Sequence, residues 1–224
     1  LRLNEQFDQA ICADVQTVGW QKPVPFAPMK TQPHNAVYDG LEIEPSDNPQ
    51  VKALVTAAAQ TLIGLENRLN ALDAKVGDGD TGSTFAEGAR EIARLLEQRA
   101  LPLNNSAQLL QLVGERLATV MGGSSGVLMS IFFTAAGQAV HNGTALPEAL
   151  LLGLKQMKHY GGADVGDRTL IDALQPALEA LQDSGLDAAV AAANTGAART
   201  ASMQTAGAGR SSYANSEYRD GVSA

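Results

Sequence analysis

Three aspartates and three glycines fall in one short stretch, from Asp73 to Thr84, between two segments with helical apolar spacing. Asp78 and Asp80 alternate with glycines that let the backbone turn tightly, and Asp73 ends the preceding segment. Carboxylate oxygens suit Mg²⁺ or Ca²⁺, and Mg²⁺ commonly combines one or two carboxylates with substrate phosphates and waters. Three like charges this close together repel strongly unless a cation lies between them. The stretch therefore predicts a metal site at Asp73, Asp78 and Asp80.

A solvated Asp-Gly turn is the simpler interpretation, but the residues that follow weigh against it. Thr81, Ser83 and Thr84 place hydroxyls and backbone N–H groups at the start of the next helical segment, where a helix N-terminus attracts anions. An EF-hand does not fit, because Glu87 comes too early to close the loop. A Walker A loop does not fit either, because no Gly-Lys-Ser/Thr follows. We therefore expect a phosphate beside the metal.

A second small-residue stretch, Gly122-Gly-Ser-Ser-Gly126, separates two further helical segments. It can be a tight helix–helix joint or a second set of free amides suited to a phosphate. Beside the acidic stretch, the phosphate interpretation is favoured. A third polar helix start occupies residues 161–169. These stretches follow the first, third and fifth predicted helices, and alternate loops of an up-and-down bundle lie at the same end, so we expect all three to meet.

Apolar periodicity predicts seven helices and no strand. The first is one long helix from Val51 to Leu72, and the third has Ser106 as its N-cap. Pro176 is expected to kink the sixth helix. The other helices are predicted near residues 84–98, 123–141, 147–160 and 186–203. Hydrophobic residues make up 45% of the chain and aromatic residues only 4%, which favours close-packed helices rich in Ala and Leu.

The composition argues against several classes of partner. A net charge of −8 without a basic patch argues against nucleic acid. The sequence contains no run of 18 or more apolar residues, so it predicts no membrane span. The single cysteine, Cys12, fits a reducing compartment and hence a cytoplasmic location.

Prolines concentrate early in the chain and predict three parts: residues 1–22, a proline-rich linker at 23–47, and a helical domain at 48–224.

Four ordered motifs resemble the nucleotide-binding domain of the dihydroxyacetone kinase family. They are Asp73-x4-Asp78-x-Asp80-Thr-Gly, Gly122-Gly-Ser-Ser-Gly126, Gly166-Asp-Arg-Thr169 with Asp172-Ala-Leu174, and Gly209-Arg-Ser-Ser-Tyr213. Residues 1–22 resemble the tail of the family's substrate-binding domain. The resemblance implies an all-α barrel of eight antiparallel helices that binds ATP at one end through two Mg²⁺ ions.

The same resemblance assigns roles to individual residues. It implies that Asp73, Asp78 and Asp80 ligate the metal, and that Gly161, Leu170 and Arg210 contact the nucleotide, with Leu170 on the adenine side. The phosphates are expected at Thr81, Gly82, Ser83, Thr84, Ser124 and Ser125.

The implied function is the ATP-binding half of a kinase that phosphorylates dihydroxyacetone or a similar small hydroxy-ketone or aldose. The family's substrate-site histidine belongs to the substrate-binding domain, which we expect as a partner. His34, His141 and His159 match no such motif and are assigned surface or core roles, so the chain alone is expected to be inactive. The alternatives are a module with permanently bound ADP that serves a phosphocarrier, and a helical scaffold without nucleotide. The family's last helix has no counterpart here, which predicts an open groove filled by a second copy of the chain, by part of the N-terminal segment or by repacking of the helices, and self-association is favoured.

Overall fold

The computed structural model describes residues 43–213 and 221–222, and the regular structure in these residues is helical. The all-α prediction is confirmed. The predictions for residues 1–42, including the substrate-domain tail and most of the linker, concern residues outside the described part of the chain. The α-helices run α1 Pro49–Gly64, α2 Glu66–Asp73, α3 Thr81–Glu97, α4 Ser106–Val120, α5 Gly123–His141, α6 Leu146–Gly161, α7 Ile171–Ser184 and α8 Leu186–Thr200, and a 3₁₀ turn covers Arg210–Tyr213.

Two details of the helix prediction are wrong. The expected long helix from Val51 to Leu72 is broken at Leu65 into α1 and α2, so the described residues contain eight α-helices rather than seven. The Leu65 N–H is shared between the carbonyls of Thr61, at 3.0 Å, and Leu62, at 3.2 Å, which tightens the turn after Gly64. The N-cap of α4 is Asn105, whose side chain accepts from the backbone N–H three residues on at 3.1 Å, rather than Ser106.

Helices that follow each other in the chain pack side by side, most extensively α4 with α5, α5 with α6, and α7 with α8. Glycines allow this close approach. A Cβ added at Gly114 would lie 2.5 Å from the Thr134 hydroxyl on α5. A Cβ at Gly196 would lie 2.3 Å from the Asp172 carbonyl oxygen on α7. The scarcity of aromatic residues is thus explained by backbones that come close together over small residues.

The described helices bury two apolar clusters. The first joins the end of α3 to α4 and the loop between them, and Ile43 packs against it. Ser46, just before α1, also pairs with this loop, because its N–H donates to the Leu101 carbonyl at 3.2 Å. The second cluster joins α5, α6 and α7 and consists of Phe132, Leu154, Met157, Ile171 and Leu178. The bundle is therefore held by packing along its length, which leaves its ends free to carry loops.

The first and last described helices, α1 and α8, do not pack closely against each other. Large apolar side chains stay exposed on both: Leu54 is 60% exposed on α1, while Leu186 and Val190 are 59% and 54% exposed on α8. The first and last described helices therefore both carry exposed apolar side chains, and the sequence predicted an open groove between these two helices.

Helix α5 is long and apolar enough to cross a membrane, judged by length and composition alone. It packs between α4 and α6. The core helix of a bundle passes the same test, so this feature is weak support for a membrane span.

Candidate functional site

One cavity of about 390 Å³ opens at the end of the bundle where α3 and α5 begin and α8 ends. This volume falls within the range of small-molecule sites. The prediction that the glycine-rich stretches meet at one end is confirmed, because residues from all three contribute to this one lining. The lining residues are Leu69, Leu72, Asp73, Val76, Asp78, Asp80, Thr81, Thr84, Gly122, Gly123, Ser124, Ser125, Arg168, Thr169, Ala208, Gly209 and Ser211.

Asp73 organises the acidic turn on one wall of this cavity. Its Oδ2 accepts from the backbone N–H groups of Gly79 at 2.9 Å, Asp80 at 3.0 Å and Thr81 at 3.3 Å. Gly79 has a φ of +80°, a left-handed conformation that glycine adopts without strain. These three hydrogen bonds thus fix the conformation of residues 77–81 around the Asp73 carboxylate.

The same fold gathers three carboxylates. One oxygen from each of Asp73, Asp78 and Asp80 lies within 4.8 Å of the other two. Asp73 is half-buried, while Asp78 and Asp80 are exposed to the cavity and solvent. Hard oxygen donors at this spacing, with room for water or phosphate on the open side, fit a divalent cation such as Mg²⁺.

The N-terminus of α3 is largely occupied by protein groups. The Thr81 N–H is held by Asp73, and the Ser83 N–H donates to Asn70 Oδ1 at 3.0 Å. The Ser83 hydroxyl donates to Glu66 Oε1 at 3.1 Å and accepts from Asn70 Nδ2 at 2.9 Å. Ser83 therefore faces α2 and does not line the cavity, although the sequence predicted it as a phosphate contact.

Gly82 also packs against α2 rather than lining the cavity. A Cβ added there would lie 2.0 Å from the Glu66 carbonyl oxygen. Of the four residues predicted in this turn, Thr81 and Thr84 line the cavity. The first turn of α3 thus serves mainly to fix the acidic wall, which is the part of the cavity lining that carries Asp73, Asp78 and Asp80.

The N-terminus of α5 faces the cavity differently. Gly122, Gly123, Ser124 and Ser125 all line it, and the N-cap Gly122 contributes no side-chain hydrogen bond. The first N–H groups of any α-helix have no partner within the helix. A Cβ at Gly122 or Gly123 would meet nothing within 4 Å, so the backbone borders open space. These amides and the two serine hydroxyls suit an anion.

The third stretch is built around a buried carboxylate. Asp172 is 0% exposed and accepts from the N–H of Gly166 at 2.7 Å and of Thr169 at 2.9 Å. Thr169 lines the cavity, whereas Gly161 and Leu170 are exposed nearby and do not line it. The Arg210 side chain lies outside the described part of the chain; its neighbours Gly209 and Ser211 line the cavity.

Two carboxyl groups near the site have lowered pKa values. A hydrogen bond from Arg90 holds the pKa of the Glu66 carboxyl below its usual value, against the opposing effect of burial, and Ser83 adds to the lowering. Lys158 lowers the pKa of Asp164 through an ion pair of 2.5 Å. Both groups are therefore charged at neutral pH, and both brace segments that border the cavity.

Several lining residues were not predicted as site residues. Leu69, Leu72 and Val76 form an apolar wall beside Asp73. Leu69 lies three residues before Leu72 and four before Asp73, which places these three on one face of α2, and Val76 follows in the turn; this apolar spacing was present in the sequence. No comparable pattern marks Ala208 or Ser211, which reach the site only through the tertiary fold.

The chain matches the family model described as the DAK2 domain over residues 75–222. It is 55% identical over 217 residues to the dihydroxyacetone kinase of Citrobacter freundii, a match that covers 96% of this chain and 39% of that protein. It is 42% identical over 183 residues to the triokinase/FMN cyclase of Rattus norvegicus, covering 76% of this chain and 31% of that protein.

Two solved structures of a dihydroxyacetone kinase are also similar to this chain. The native crystal structure of the C. freundii dihydroxyacetone kinase matches with a TM-score of 0.78 at 52% identity, covering 99% of this chain and 40% of that chain. The structure of that kinase in complex with AMP-PNP and Mg²⁺ matches with a TM-score of 0.76 at 51% identity, covering 97% of this chain and 41% of that chain. The chain thus spans about two fifths of the length of the C. freundii kinase and 31% of the rat protein.

Proposed function

The chain belongs to the DAK2-domain family, and we propose that it binds Mg²⁺-ATP as the nucleotide half of a kinase for dihydroxyacetone or a similar small hydroxy-ketone or aldose. The observation that carries this proposal is the cavity itself, with three carboxylates on one wall and the uncapped N-terminus of α5 on another. Relatives named as dihydroxyacetone kinase and triokinase, and a similar structure with AMP-PNP and Mg²⁺, support it.

In this proposal Asp73, Asp78 and Asp80 would hold two Mg²⁺ ions, which would neutralise charge on the phosphates. Their separation, with all three donors within 4.8 Å, is small enough for shared ions. Thr81 and Thr84 lie beside them, and Ser124 and Ser125 with their backbone amides take the phosphates at the start of α5.

Gly161, Leu170 and Arg210 remain proposed nucleotide contacts, with Leu170 toward the adenine. Gly161 and Leu170 do not line the cavity as described, but Leu170 is 46% exposed beside Thr169, which does. An exposed leucine at the rim is suited to cover one face of a base.

Bound Mg²⁺ would neutralise negative charge on the transferring phosphoryl group, which is the main requirement of in-line phosphoryl transfer. The chain's own part is positional. Asp73 is fixed by three backbone N–H groups, so its carboxylate is preorganised. The amides at the start of α5 would offer partial positive charge to the phosphates and would fix their position.

We propose that the acceptor is held by a separate substrate-binding domain and that the chain alone does not phosphorylate it. His141 ends α5, far along the bundle from the start of that helix at the cavity, and His159 is exposed on α6. Neither histidine lines the cavity. Measured phosphorylation of dihydroxyacetone by the purified chain would contradict this.

Calorimetric titration with ATP, with and without Mg²⁺, tests the proposal. We expect binding that requires Mg²⁺ and that the Asp80→Asn variant weakens strongly, because it loses a ligand charge. No Mg²⁺-dependent heat would favour a helical scaffold instead. ADP that copurifies and does not exchange would favour the phosphocarrier-dependent alternative.

We also propose that the chain is cytoplasmic and self-associates through the apolar edges of α1 and α8. The single cysteine fits a reducing compartment. The exposed Leu54, Leu186 and Val190 are suited to burial against a second copy. Sedimentation that showed only monomer over a wide concentration range would contradict self-association.

A further inference from the structure

Arg168 is an unusual residue in the cavity wall. It is a long, charged side chain, yet it is only 2% exposed. Its backbone φ is +59°, in the left-handed region that non-glycine residues rarely adopt. It lines the same cavity as the acidic turn. A buried arginine in a strained conformation beside a binding site indicates a role that outweighs these costs.

The guanidinium of Arg168 contacts two distant points of the C-terminal chain. Its Nε donates to the Thr200 carbonyl oxygen at 3.1 Å, and its Nη2 donates to the Val222 carbonyl oxygen. Thr200 ends α8, and Val222 is buried. The chain between them includes Ala208 and its neighbours, which line the cavity. One guanidinium thus holds the chain just before the segment that lines the cavity, at Thr200, and again after it, at Val222.

The backbone around Arg168 is fixed independently of its side chain. Asp172 accepts from Gly166 on one side of Arg168 and from Thr169 on the other. The side chain therefore extends from a rigid turn. Its planar guanidinium can donate to two carbonyl oxygens at once, whereas the ammonium group of a lysine is poorly suited to that geometry.

We propose that Arg168 is a positioning residue that fixes the 201–213 segment as one wall of the nucleotide site. This inference rests on the proposed function. Holding both ends of a segment removes much of its conformational freedom, so the wall is formed before the ligand arrives. Two other ties exist: the Gly207 N–H donates to the Asp167 carbonyl oxygen at 3.1 Å, and the Gly221 N–H donates to the Ala201 carbonyl oxygen at 3.1 Å. The variant below tests whether these two backbone bonds suffice without the guanidinium.

The decisive variant is Arg168→Gly in the full 224-residue chain. Glycine adopts a φ of +59° without strain, so this change removes the guanidinium while it keeps the turn. The matched control is Arg99→Gly. Arg99 is the other described non-glycine residue with a positive φ, at 54°, and it is exposed at the end of α3 away from the cavity.

Three readouts separate positioning from general structural damage. We expect Arg168→Gly to weaken Mg²⁺-ADP binding about tenfold or more, which corresponds to the loss of roughly one hydrogen bond between the nucleotide and residues 201–213. Amide hydrogen exchange at residues 201–213 should become faster. Binding of Mn²⁺ alone, followed by its paramagnetic resonance signal, should stay within about twofold of the parent, because Asp73 and its own backbone hydrogen bonds hold the acidic turn. Arg99→Gly should change none of these readouts.

Parent-like nucleotide affinity and exchange in Arg168→Gly would overturn the inference, and so would Mn²⁺ affinity that falls in parallel with nucleotide affinity. If Arg168→Gly does not fold, Arg168→Lys replaces it, with a smaller loss of affinity expected in the same direction and parent-like affinity as the contrary result. If the parent itself binds no nucleotide, the proposed function fails, and faster exchange at residues 201–213 still decides whether Arg168 holds the segment.

Discussion

Substituting Gly77 by alanine tests the arrangement of the acidic wall. A Cβ at this position would lie 2.2 Å from Asp73 Oδ1 and 2.9 Å from Asp73 Cγ. Gly77 is not among the described glycines with positive φ, so backbone strain does not contribute. The effect of Gly77→Ala must therefore come from displacing the Asp73 carboxylate.

The magnitude follows from what that carboxylate holds. Its Oδ2 accepts three backbone N–H groups, and a hydrogen bond to a charged group contributes about 1.5–3 kcal/mol. Losing one of them lowers the free energy of unfolding by that amount and the melting temperature by roughly 3–12 °C. Mg²⁺ binding requires the original carboxylate position, so Mg²⁺-dependent nucleotide affinity should fall about ten- to hundredfold.

The assays are thermal unfolding without ligand and calorimetric titration with Mg²⁺-ADP. Gly64→Ala is the matched control, because a Cβ at Gly64 meets nothing within 4 Å. That change should leave affinity unchanged and stability equal or higher, since alanine favours helix over glycine. If Gly77→Ala bound Mg²⁺-ADP like the parent, the placement of Asp73 at the centre of the metal site would be refuted.

Three further predictions concern charge and packing. Asp78→Asn and Asp80→Asn should each strongly weaken Mg²⁺-dependent nucleotide binding and raise stability without metal, through relief of like-charge repulsion, as calorimetry and thermal unfolding can check. Glu66→Gln should be less stable than the parent above about pH 4.5, and the difference should vanish as pH falls through the lowered folded-state pKa of Glu66; an unchanged difference in acid unfolding would contradict this. Gly196→Ala should lower the free energy of unfolding by about 1–3 kcal/mol in denaturant titration, because its Cβ would lie 2.3 Å from a backbone oxygen of α7.

The sequence was sufficient to predict the features that depend on local pattern. Apolar spacing identified the helices, because a bundle buries one face of each. The alternation of loops then placed the acidic stretch and the Gly122–Gly126 stretch at one end, which the shared cavity confirms. The break at Leu65 was missed because the apolar stripe continues through it, so periodicity gives no signal there.

Features that depend on distant contacts could not be predicted. Ser83 turns back to Asn70 and Glu66 on the preceding helix, a contact that a helix-start pattern does not reveal. The burial of Arg168 depends on Thr200 and Val222, which are remote in sequence. These tertiary contacts decide which side chains reach the cavity, and the motif alone identifies only its neighbourhood.

Nucleotide phosphates are proposed to lie between the three carboxylates and the start of α5. A crystal structure of the chain with a non-hydrolysable ATP analogue and Mn²⁺ tests this placement, because anomalous scattering locates the metal. We expect anomalous peaks within coordination distance of Asp73, Asp78 and Asp80, with phosphate oxygens on the amides of Ser124 and Ser125. Mn²⁺ or phosphates bound elsewhere on the chain, with this cavity occupied only by water, would contradict it.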